Sequence, residues 1–136
     1  MSTETACVYK VQTGKSFQEA CVAVRRAAEA HKFGVLGTYE FSEILNAKGF
    51  PRSEHMKSID ICNPGHASRL LDAEPLTGLC MPCSILVYTD HGKTYIAAMV
   101  PASVMPQIFP ERAESVQETL EEVTAQIKAI IDEAAA

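Results

Sequence analysis

No stretch of this chain approaches the roughly 20 consecutive apolar residues that a membrane-spanning helix needs, so no membrane partner is expected. Basic residues are not in excess: 12 Lys and Arg stand against 17 Asp and Glu, for a net charge of -5. Phosphate binding requires a basic face, and the cations here are scattered, so no nucleic-acid partner is expected either. The chain has no phosphate loop, no dinucleotide fingerprint and no serine-nucleophile motif, which argues against an ordinary kinase, dehydrogenase or hydrolase. No secretory signal is read in the opening Met1-Ser2-Thr3-Glu4-Thr5, which is polar and acidic, and a cytoplasmic location is expected. Internal repeats, low-complexity segments and linkers are also missing. With 136 residues, 47% of them hydrophobic, the chain is long enough for one domain over 1–136 with its own core.

Cysteine is present but in an odd number, five, in a chain whose core needs no staples. A disulfide framework is therefore not expected, and the thiols are read as buried, metal-binding or redox-active. Three of them fall within Cys62-Asn63-Pro64-Gly65-His66 and Cys80-Met81-Pro82-Cys83. This is where a chemical site is expected.

Periodicity orders the rest. Cys7 to Val11 reads as a strand. Ser16-Phe17-Gln18-Glu19 is a capping box, and the helix it opens carries Phe17, Ala20, Cys21, Val24, Ala27 and Ala28 on one face. Phe33 to Tyr39 reads as a strand, and Phe41 to Lys48 as a short helix ended by Gly49. His55 to Cys62 alternates as a strand with Ile59 and Ile61 inward. Asn63 is an N-cap and Pro64 fits the first position of a helix running to about Ala73. Ser84 to Thr89 and Thr94 to Val100 are strands joined by a tight turn at Asp90-His91-Gly92-Lys93. Pro101 to Pro110, with three prolines, reads as a loop. Glu111 to Ala136 is the longest helix, with Val116, Leu120, Val123, Ile127, Ile130 and Ile131 in one stripe. The order predicts an α+β fold: a single mixed or antiparallel sheet of about five strands with helices packed on one face.

Several of these residues carry a resemblance. Glu19 on the first helix, Phe33-Gly34-Val35-Leu36, Cys62-Asn63-Pro64 with Ala67, Gly78-Leu79, Pro82-Cys83 and Val87-Tyr88 together resemble the bacterial and archaeal family called domain of unknown function 302. The resemblance spans residues 7–103, leaving 111–136 as a C-terminal helix. It implies a β-α-β-rich sheet like that of the TATA-binding protein and pairing into homodimers, and it brings no settled activity. Cys80 and His66 look like departures from the family pattern.

The cysteine cluster supplies three functional readings. Cys62 lies between a strand and the first turn of a helix, where free amide hydrogens and the helix dipole favour a thiolate, so it is the candidate nucleophile of a thiol-redox or sulfur-transfer protein. His66, four residues on, falls on the same helical face. Cys62, His66, Cys80 and Cys83 make three sulfurs and one imidazole, a set suited to tetrahedral zinc or to iron. For a haem or a sulfur species the corresponding contacts are Cys62, Asn63, His66 and Cys83. The set assembles only if the strand ending at Cys62 lies beside the strand entered at Cys83. The leading expectation is a small binding module holding a metal, haem or sulfur species at this cluster. The thiol enzyme and a non-catalytic structural or regulatory dimer are the alternatives. Cys80-Met81-Pro82-Cys83 has the spacing of a thioredoxin pair but precedes a strand rather than opening a helix, which disfavours that mechanism.

Overall fold

The computed structural model describes residues 2–111 and 113–136. It contains β1 (Ser2–Glu4), β2 (Val8–Thr13), α1 (Phe17–Ala30), β3 (Gly34–Glu40), α2 (Phe41–Ala47), β4 (Met56–Cys62), α3 (Pro64–Ala73), a 3-10 segment (Pro75–Cys80), β5 (Cys83–Asp90), β6 (Lys93–Met99), α4 (Pro101–Ile108) and α5 (Ala113–Ala135). The strands form one sheet in the order β1-β2-β6-β5-β4-β3, antiparallel at every pairing. This is the expected α+β fold, with the mixed alternative resolved as antiparallel and a three-residue edge strand, β1, added to the five read from the sequence.

Local chemistry starts the elements. Ser16 Oγ accepts from the Glu19 amide at 3.2 Å, and Glu19 Oε1 accepts from the Ser16 amide at 3.0 Å, so both arms of the capping box form. Gly49 takes φ 89°, the left-handed turn that ends α2. The β5–β6 hairpin places His91 and Gly92 at φ 49° and 80°, both positive as a two-residue turn of this hand requires.

One face of the sheet is covered. Ile59, Ile61, Ile85, Val87 and Ile96 point to that side and are fully or almost fully buried under α1 and α5. Each such side chain contributes about 1.5–3 kcal/mol on leaving water. All six residues of the predicted α1 stripe, and all six of the α5 stripe, are buried. The helix expected over 111–136 is α5; position 112 lies outside the described residues. No helix among the described residues is long and apolar enough to cross a membrane.

The segment read as a loop over Pro101–Pro110 is largely helical. Pro101 occupies the first turn, where its missing N–H costs nothing. Pro106 sits inside the helix, but Met105 and Phe109 are buried against Leu70, Val116 and Leu120, and that packing outweighs the lost hydrogen bond. The helix is pinned to α5 by the Ala102 amide, which donates to Thr124 Oγ1 at 3.0 Å.

This topology positions the site. β4 leaves the sheet at Cys62, and the chain returns through α3 and the 3-10 segment to enter β5 at Cys83, directly opposite Ile61. β6 runs antiparallel to β5, with Ala98 opposite Ile85, so α4 begins at the same end of the sheet. The condition that the Cys62 junction lie beside the entry to the next strand is met.

Candidate functional site

Two cavities meet at this end of the molecule, and Cys83 lines both. The smaller holds about 30 Å³ and is bordered by Phe33, Cys62, His66 and Leu120. That is room for about one water molecule. The larger holds about 210 Å³ and lies between the 3-10 segment and α4, bordered by Cys80, Cys83, Met99, Val104, Met105 and Ile108. Its walls are apolar apart from the two thiols and Ser84. Leu79 and Met99, 76% and 60% exposed, stand at its edge, so it opens to solvent there. A broader concavity, about 680 Å³, is a shallow trough along α1 bordered by Lys15, Arg26 and Glu133, with no thiol among its lining residues.

The thiols differ in setting, and all five are free. Burial pushes Cys83 up to about 11, and the neighbouring Cys62 and Cys80 sulfurs push the same way. Burial alone raises Cys80. Cys21, on the buried face of α1, is also raised to about 11, mainly by burial. At neutral pH, Cys80 and Cys83 are therefore protonated thiols rather than nucleophiles.

Asn63 is committed to structure. Its Oδ1 accepts from the His66 amide at 3.1 Å, and its Nδ2 donates to the Lys32 carbonyl at 3.3 Å. One of the amides at the start of α3 that were expected to favour a Cys62 thiolate, that of His66, is thus taken by Asn63.

His66 is the main departure from expectation. Its ring is buried, tilted against Phe33 with centroids 6.1 Å apart. Nε2 donates to Gln126 Oε1 at 2.6 Å, and Nδ1 accepts from Arg69 Nη2 at 2.6 Å. Arg69 in turn lies 3.5 Å from Glu122. Both ring nitrogens are therefore occupied by the protein, and the side chain ties α3 to α5. Among the described residues no group of three or more His, Cys, Asp and Glu side chains is placed to hold a metal ion. The Cys62, His66, Cys80 and Cys83 tetrad expected for zinc or iron does not assemble, because the imidazole is turned into the helix interface. Replacing His66 with Ala would leave Gln126 and Arg69 without their partner. The expected loss is about 1–3 kcal/mol of stability, read as a lower urea midpoint at unchanged slope.

Asp60 and His55 line neither of the two thiol-bearing cavities. Asp60 accepts from Ser58 Oγ at 2.9 Å and Ser84 Oγ at 2.8 Å. His55 stacks on Phe17 with ring centroids 4.9 Å apart. Met99, Val104 and Met105 were not singled out from the sequence. Nothing in their local pattern signals a site, since two of them belong to the proline-rich stretch read as a loop.

The chain is thus a small α+β domain with three of its five thiols gathered at one end of the sheet. Residues 9–134 match the family described as Domain of unknown function DUF302, and the chain belongs to that family. The match takes in α4 and α5, beyond the 7–103 span of the resemblance. A crystal structure of an uncharacterized conserved DUF302 protein from Bacillus stearothermophilus is similar over 93% of this chain and 97% of that one, with 25% identity and a TM-score of 0.87. No curated protein matches the chain.

Proposed function

We propose that this protein is a binding module that seats a small, soft ligand between the 3-10 segment and α4, against the thiols of Cys80 and Cys83. The observation that carries the reading is the 210 Å³ cavity with both thiols in an otherwise apolar wall. Ligand pockets combine mostly apolar lining with a few placed specific groups, and here those groups are sulfur. Binding is favoured over turnover because no carboxylate, imidazole or amine lines this cavity to act as acid or base. The raised thiols argue against a cysteine nucleophile in this cavity at neutral pH. The smaller cavity beside Cys62 has no space for anything beyond a water, so Cys62 borders the site rather than forming its centre.

Phenylarsine oxide is a suitable probe, being small, apolar and selective for paired thiols. It condenses with two thiols to give a dithioarsenite and one water. The reading predicts uptake of one equivalent with loss of two free thiols. Val104→Trp, which fills the cavity from α4, is expected to weaken uptake at least tenfold. Equal uptake by the two proteins would contradict the reading.

A further inference from the structure

The sulfur content of the larger cavity goes beyond its two thiols. Cys80 ends the 3-10 segment, Cys83 begins β5, Met99 ends β6 and Met105 lies in α4, and all four border the same 210 Å³ space. Four separate elements thus contribute sulfur-bearing residues to its lining, Met99 from the exposed face of the sheet at the solvent side. We propose that this cavity is a site for a soft monovalent metal ion, Cu(I), held by Cys80 and Cys83 with the thioethers of Met99 and Met105 as supplementary donors. The inference rests on the binding-module reading and names its ligand.

The donor set decides the metal. Zinc and iron sites need three or four ligands from thiolate, imidazole or carboxylate, and no such group of three exists among the described residues. A d10 monovalent ion requires only two thiolates, and thiolate and thioether together select it over harder ions. Among the described residues Ser84 alone brings a side-chain oxygen to the cavity lining, too few for the oxygen-rich shells that calcium, magnesium and manganese prefer. The exposed position of Met99 at the mouth gives the ion a first soft contact before it reaches the thiols. Solvent reaching the same mouth also stabilises the charge left after loading.

Loading is a ligand exchange with no change of oxidation state. One Cu(I) displaces the protons of two thiols, forming two copper–sulfur bonds and releasing two protons, so the centre carries a net charge of one minus. Because both protons must leave, affinity rises with pH, by up to about 100-fold per unit while both thiols remain protonated in the apo protein.

The test uses the full, untagged and reduced chain under anaerobic conditions, titrated with Cu(I) in competition with the chromogenic chelator bicinchoninate. The expected result is one tightly held equivalent. Cys80→Ser and Cys83→Ser should each lower affinity at least 100-fold, and Met99→Leu several-fold. Cys62→Ser, whose sulfur lies beside Cys83 but outside the larger cavity, should lower it far less than either of those. Cys80 is only partly buried and Met99 is exposed, so their variants keep the test valid if Cys83→Ser fails to fold. Wild-type protein that competes no better than Cys80→Ser, or an equal loss in Cys62→Ser, would overturn the inference. If Cu(I) is refused while phenylarsine oxide still binds, the metal falls and the binding module stands. If both are refused, both readings fall.

Discussion

Leu120→Ala is expected to lower the unfolding free energy by about 2–5 kcal/mol, a large share of the about 5–15 kcal/mol that holds a typical domain together. Leu120 is fully buried and joins Leu70 of α3 to Met105 and Phe109 around α4, forming the packed base on which the cysteine-bearing end rests. The effect belongs in the upper half of that range because the 30 Å³ void already lies against this side chain. Its neighbours are anchored on three different helices, so they cannot close over a further gap. Urea unfolding measures it: the midpoint should fall with the slope unchanged. A loss below about 1 kcal/mol would mean that α3 and α4 do not rest on α5 as described.

The second large effect is on thiol reactivity. At pH 8 Cys83 should alkylate roughly two orders of magnitude more slowly than an ordinary exposed cysteine, whose unperturbed value is about 8.5. Its own value stands at about 11, so only a small fraction is thiolate at that pH. The rate should climb about tenfold per pH unit and level off near 11, as followed by iodoacetamide labelling of the Cys83 peptide. A plateau below pH 9 would contradict the assigned burial. Stability carries the same sign. A thiol raised in the folded state contributes stability that is complete below its unfolded value and lost as pH rises through the folded one. With Cys21 and Cys83 both raised to about 11, the urea midpoint should decline between about pH 9 and 11.

The parts of this fold that were legible in the sequence are those decided within a few residues. The capping box at Ser16, the Asn63-Pro64 helix start and the turn at His91-Gly92 are each settled by neighbouring backbone groups, and each appears where expected. The stripes of α1 and α5 were legible because burial follows the helical period. α4 was not, because its two prolines are local breakers while the burial of Met105 and Phe109 that stabilises it comes from α5. His66 failed for the same reason. Its spacing from Cys62 suggested a ligand, but its partner Gln126 is sixty residues away and invisible to spacing. The nearness of Cys62 to Cys83 could be stated only as a condition, since it depends on β4 pairing with β5. Met99 and Met105 join the cavity through sheet order and helix packing, neither of which leaves a mark near those residues.

The most direct test of the central claim is to locate the arsenic in the phenylarsine oxide adduct by mass spectrometry of its peptides. A single bridge between Cys80 and Cys83 is expected, with Cys7, Cys21 and Cys62 unmodified. A bridge that includes Cys62, or a protein that forms no bridge at all, would contradict it.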